Sequence, residues 1–179
     1  MNRTSDNAAF AEVYEDEAGE DVGTGYDVGT GYIESLALIE RLHRLLLDVI
    51  KDELDRIDQI EINAVQALLL FNIGDRVMTA GELKSRGYYH GSNVSYNLKK
   101  LVDGGFIDHQ RSDVDRRSVR VRLTEKGLGI HRIVAELFRR HAEDLTTSEA
   151  LRGAEGLEGM NADLRSLERY WTEKVRYVY

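Results

Sequence analysis

Five guanidinium groups, those of Arg111, Arg116, Arg117, Arg120 and Arg122, crowd into the run "RSDVDRRSVRVRLTEKG" (residues 111–127) of a chain whose net charge is −8. Such groups stay charged and present paired N–H donors in a plane, so their natural ligand is phosphate. Val119, Val121 and Leu123 alternate with Arg120 and Arg122, the two-residue period of a strand with one face packed and one in water. That exposed face is basic. The preceding "FIDHQRS" supplies a second strand, and the hairpin turn between them carries Asp115, Arg116 and Arg117.

A second polar group lies just upstream, in "GSNVSYNLKKLVDGG" (91–105). As a helix capped by Ser92 and stopped at Gly104, it places Val94, Leu98, Leu101 and Val102 in one apolar stripe. Asn93, Tyr96 and Lys100 lie opposite, with Ser92, Ser95, Asn97 and Lys99 on the shoulders. Every outer side chain can hydrogen-bond, and none is acidic before Asp103. This face suits the base edges of a DNA major groove, and by itself it suits a plain solvated surface equally well.

Catalytic chemistry finds little to work with. His43, His90, His109, His131 and His141 lack metal-binding spacing, and there is neither a nucleophile elbow nor a phosphate loop. A metal or ligand site made by His43 and His131 across a dimer, in a metal-dependent sensor or enzyme, is a lesser alternative. The chain has no cysteine, which excludes disulfides, thiolate metal sites and a thiol nucleophile.

These groups need elements to hold them. "TAGELKSRG" (79–87) forms a short helix capped by Thr79, with Glu82 completing a capping box. A helix pair followed at once by a basic hairpin is the winged helix-turn-helix arrangement. Upstream, apolar residues recur at threes and fours from Glu34 to about Ile57, and "AVQALLLF" (64–71) makes a nearly all-apolar second helix over about 62–72. Downstream, Thr124 caps a helix from Glu125 to about Leu145, with Ile130, Ile133, Val134, Leu137 and Phe138 on one face. A last helix, about Glu158 to Val178, aligns Leu157, Met160, Leu164, Leu167, Trp171, Val175 and Val178. The predicted class is mainly α with a small β-hairpin wing. Its parts are an acidic flexible arm (1–32), a first dimerisation helix (33–58), a winged helix-turn-helix DNA-binding lobe (59–124), and a connecting helix with a C-terminal dimerisation helix (125–179).

Charge follows the same division. Residues 1–32 hold one basic residue against eight acidic ones, while residues 82–132 hold eleven basic against six acidic. A nucleic-acid partner is compatible with the acidic total because phosphate contact depends on a local patch. The hexapeptide "DVGTGY" occurs twice, at 21–26 and 27–32. Its paired glycines read as a flexible arm with Tyr26 and Tyr32 as docking groups, since no strand precedes and no lysine follows them as a phosphate loop requires. No apolar run approaches a membrane span, so a cytoplasmic protein is expected.

The run from Thr79 through "DRRSVRVRLTEKG" resembles the MarR family of bacterial transcriptional regulators, whose wing carries Asp-Arg-Arg, an apolar-basic strand and Leu-Thr-x-x-Gly. Here those are Asp115, Arg116, Arg117, then Val119 to Gly127. The resemblance implies a homodimeric regulator of sequence-specific double-stranded DNA, a repressor relieved by a small-molecule effector, with no cofactor, metal or catalytic residue. It places Arg117 in the minor groove, braced by Asp115, with Arg116 on phosphate; a narrow minor groove concentrates negative potential. Arg111 and Arg120 add wing contacts, and Ser92, Asn93, Ser95, Tyr96, Asn97, Lys99 and Lys100 face the major groove. Two-fold symmetry implies a palindromic operator with half-sites ~10 base pairs apart. Two features depart from the pattern: Val114 stands where proline is usual, and Gly87, Tyr88 and Tyr89 replace Leu-Gly-Leu. The stretch "SRGYYHGSNVSYNLKKLVD" is similar to an alphaproteobacterial subgroup that includes LdtR-type regulators. A winged module that binds protein instead of DNA is the alternative, and the arginine wing argues against it.

Overall fold

Helices leave their first N–H groups unpaired, and in this chain short polar side chains close most of those ends. The computed structural model describes residues 27–79, 82–83, 91–111, 119–147, 151 and 153–178. Among them are helices α1 (Val28–Arg56), α2 (Ala64–Ile73), α3 (Gly91–Asp103), α4 (Glu125–Thr147) and α5 (Gly153–Val178), and strands β1 (Met78–Thr79), β2 (Ile107–Arg111) and β3 (Val119–Leu123). The first "DVGTGY" copy, the segment 84–90 with Tyr88 and Tyr89, and the wing tip 112–118 with Asp115, Arg116 and Arg117 lie outside the described residues.

The chain divides into two compact units, Met1–Leu42 and His43–Tyr179. In the first, α1 begins at Val28 rather than near Glu34, so the second "DVGTGY" copy is helix and not arm. The reason is Asp27. Its carboxylate accepts the Thr30 N–H at 2.7 Å and the Thr30 hydroxyl at 2.8 Å, and those bonds, the backbone one first, hold its pKa below the usual carboxylate value. A capping carboxylate at the positive end of a helix dipole offsets the roughly 1 kcal/mol that each helical glycine costs.

The second unit holds the core. α2 is buried along Ala67, Leu68, Leu69, Leu70 and Ile73, as its continuous apolar run demands. It starts with a reciprocal box: Asn63 Oδ1 accepts the Gln66 N–H at 2.9 Å and Gln66 Oε1 accepts the Asn63 N–H at 3.1 Å. Around it close Ile50 and Leu54 of α1, Leu98 and Leu101 of α3, Val121 and Leu123 of β3, and Ile130, Val134 and Leu137 of α4. The sheet runs β1-β3-β2, antiparallel throughout, with Ile107 opposite Leu123 and Arg111 opposite Val119. The hairpin is therefore the expected one, and β1 is a two-residue addition that pairs Met78 with Val121. α5 starts at Gly153, earlier than the apolar spacing indicates.

One charged cluster ties α1 to α4. The Glu53 side chain, 10% exposed, accepts bonds from Arg56 Nε and Nη2 at 2.8 and 2.7 Å and from Arg140 Nη2 at 2.8 Å. Hydrogen bonds from Arg56, reinforced by the charge of Arg140 and opposed by burial, lower its pKa to about 2. A carboxyl more acidic folded than unfolded stabilises the fold above its unfolded pKa and loses that contribution as pH falls through its folded one. Glu53→Gln should thus lower the thermal midpoint at neutral pH and flatten the loss of stability between about pH 5 and pH 2. An acid-side melting profile identical to wild type would contradict the assignment.

Candidate nucleic-acid interface

α3 presents a face built as its spacing requires, with one difference. Ser95, Tyr96, Lys99 and Lys100 are exposed, Tyr96 at 61%, and Leu98 and Leu101 are buried. Asn97, expected on the shoulder of the outer face, is only 9% exposed. The buried stripe is tilted, taking Asn97 inward and leaving Val102 half-buried, so Asn97 does not join the exposed face. Lys100 Nζ lies 5.9 Å from the centre of the Tyr96 ring, a cation–π pairing that holds a phenol and an ammonium side by side. Ser92 and Asn93 are in the first turns of the helix.

The helix stops at a closed junction. Phe106 N–H bonds to Leu101 O and Gly105 N–H to Val102 O, both at 2.9 Å, with Gly105 at φ 72°. This is a Schellman closure, and its left-handed residue suits glycine. β2 leaves at once and β3 returns beside it. On the outer face Arg122 donates to Asp108 at 2.8 Å directly across the ladder, so its charge is partly spent within the hairpin. Arg120, two residues away and opposite Gln110, is exposed and has no ion pair among the described residues. The register puts Arg111 opposite Val119 at the far end of the ladder, where the chain continues into the tip. A polar and cationic helix face joined to a strand pair with an exposed arginine can contact base edges with the one and phosphates with the other.

Residues 62–127 match the winged helix DNA-binding domain family. The chain is 35% identical over 144 residues, 80% of its length and 73% of the relative's, to the exopolysaccharide II synthesis transcriptional activator ExpG of Rhizobium meliloti. Its fold is similar to that of a MarR protein from Peptoclostridium difficile, at 15% identity, covering 91% of this chain and 100% of that one, with a TM-score of 0.68. It is also similar to Streptococcus pneumoniae FabT in complex with DNA, at 21% identity, 79% and 98% coverage and a TM-score of 0.63. The chain belongs to the MarR family of winged-helix regulators.

As a MarR-type DNA-binding transcriptional regulator it must keep α3 fixed against the rest of the lobe, and contacts that spacing does not single out do this. Thr124 Oγ1 donates to Gly105 O at 2.8 Å and accepts the Gly127 N–H at 3.2 Å, so the cap of α4 also clasps the end of α3. Lys126 Nζ donates to Gly104 O at 3.1 Å and to Glu61 Oε2 at 2.5 Å. Glu61 and Lys126 are 65 positions apart, and no local period links them. His131, considered for a metal site with His43 across a dimer, stacks its ring on Phe71 at 5.5 Å and holds Nδ1 3.2 Å from Phe71 O. No group of three potential metal ligands occurs among the described residues.

Proposed function

We propose that this MarR-type regulator acts as a homodimer on a palindromic operator and responds to a small-molecule effector. One observation carries the dimer: Leu157, Met160, Leu164, Trp171 and Val175 of α5 are each 37–67% exposed although they recur on one stripe. A monomer gains nothing from such a patch, and a second copy would cover it. In a two-fold dimer the α3 helices lie about one DNA turn apart, roughly 34 Å. Repression follows where the operator overlaps a promoter; the Rhizobium meliloti relative is named an activator, and position relative to the promoter would set the sign.

In this reading the effector seat is the cleft of about 340 Å³ between the end of α1 and the middle of α4, lined by Glu53, Arg56, Ile57, Arg132, Ile133 and Arg140. Its size falls near the lower end for small-molecule sites, and a ligand there would bias α4 and, through Thr124, the end of α3. The proposal includes no cofactor and no catalytic residue. It also places Arg117 in the minor groove with Asp115 bracing it and Arg116 on phosphate, situates the protein in the cytoplasm, and relates residues 85–103 to the LdtR-type subgroup. No helix among the described residues is long and apolar enough to cross a membrane.

Selection from a random duplex library tests the function. The recovered sites should be palindromes with half-sites ~10 base pairs apart, bound with a log-log salt slope of about −5 to −9 for ~6 to 10 neutralised phosphates. Arg117→Ala should weaken that binding by about 1–3 kcal/mol while leaving the sizing profile unchanged. Salt-insensitive binding, or an unstructured set of selected sequences, would defeat the reading.

A further inference from the structure

Lys126 occupies an unfavourable place in its own helix. It is the second residue of α4, where the N-terminal end of the macrodipole repels a cation. Its ammonium turns away to three partners. It donates to the Gly104 carbonyl at 3.1 Å, one of the C-terminal carbonyls that α3 leaves without an intrahelical partner. It pairs with Glu61 Oε2 at 2.5 Å, in the connection between α1 and α2. It also stands 4.2 Å from the centre of the Phe106 ring, itself 1% exposed and fixed in the core. A cation that is misplaced for α4 is thus well placed for α3, whose negative dipole end it meets.

The ion pair is half in solvent, with side-chain exposures of 43% and 54%, and exposed pairs contribute little to global stability. Its geometry contributes something else. The carbonyl contact and the ring fix where the end of α3 sits, and Glu61 anchors the same ammonium to the α1–α2 connection. Thr124 holds the neighbouring Gly105 carbonyl through its hydroxyl, so two adjacent carbonyls at the end of α3 are gripped from the start of α4.

We propose that Lys126 is a positioning residue for DNA binding, which sets the pose of α3 by holding its C-terminal carbonyl against Phe106 and Glu61 without itself touching DNA. The inference rests on α3 being the helix that meets DNA. Wild-type binding to its selected duplex tests that separately, since the variant-to-wild-type ratio reads Lys126 alone.

The experiment measures affinity for the selected duplex, its salt slope and the thermal midpoint for wild type, Lys126→Met, Lys126→Arg and Glu61→Gln. Lys126→Met keeps the apolar stem and removes the cation. It should weaken binding about five- to thirty-fold with the salt slope unchanged, since no phosphate contact is lost. Glu61→Gln should give a smaller loss of the same kind, and Lys126→Arg should restore most of the affinity. A salt slope shallower by about 0.9 for each protomer would show a direct phosphate contact and overturn the proposal. So would unchanged affinity in Lys126→Met, or a loss that tracks a lowered midpoint and is not restored by arginine.

Discussion

Replacing Gly127 by alanine should destabilise the protein by about 1–3 kcal/mol, whereas the same change at Gly129, in the same turn of α4, should stabilise it by up to about 1 kcal/mol. The opposite signs follow from what a methyl group would meet. A Cβ at Gly127 would lie 2.2 Å from the Phe106 carbonyl oxygen, a backbone atom held by the Schellman closure and by the Thr124 N–H, which bonds to it at 3.1 Å. Nothing lies within 4 Å of a Cβ at Gly129. Helix propensity alone favours alanine at both positions, so a loss at Gly127 measures the close approach of α4 to the start of β2. A chain of this length shifts its thermal midpoint by about 2–4 °C for each kcal/mol, and paired melting curves would resolve the two signs. Two stabilised variants would mean that α4 does not pack on Phe106 as described. The final glycine of the Leu-Thr-x-x-Gly element is thereby explained: leucine fills the core, threonine caps the helix and clasps α3, and glycine lets the two backbones touch.

The parts of the fold that could be read from the chain are those set by local rules. Thr79 and Glu82 form their box, with the Glu82 N–H donating to Thr79 Oγ1 at 3.1 Å; the Val121 and Leu123 face is buried and the Arg120 and Arg122 face is not. Glycine mislead where a cap outweighed it, at Asp27 and Thr30, because propensity is a weak prior against a well-placed carboxylate. β1 escaped because two residues carry no period, and it exists only through its pairing with β3. Asn97 was misjudged by a tilt of the α3 stripe that the helix alone does not encode, since the stripe direction depends on what α3 packs against. The clamp of Lys126 on Glu61 and Gly104 joins three separated stretches and leaves no mark in any of them. The site is similarly divided: the type of chemistry, hydroxyls, a phenol and cations on one helix and one hairpin, was legible, whereas the groups that aim that helix were not.

Leu164→Glu should convert the protein to a monomer on sizing and lower its affinity for the selected palindrome by 10²- to 10⁴-fold, roughly the gain that linking two binding sites provides. Leu164 is 43% exposed in the single chain and lies mid-stripe on α5. A glutamate there therefore costs the isolated chain little, while in a dimer it would bury an unpaired carboxylate against an apolar partner. The two consequences separate the interface from the fold. A monomer with a near-wild-type midpoint and helical content would show that α5 is used for association and not for the core. The same monomer should still meet a single half-site weakly through α3, because none of the residues on that face is altered. A palindrome is bound tightly only when the second half-site is met within the same complex, so its affinity should collapse to that half-site level. A Leu164→Glu protein that stays dimeric would place the interface elsewhere, and one that is monomeric yet binds the palindrome as wild type does would remove the two-fold argument for the operator.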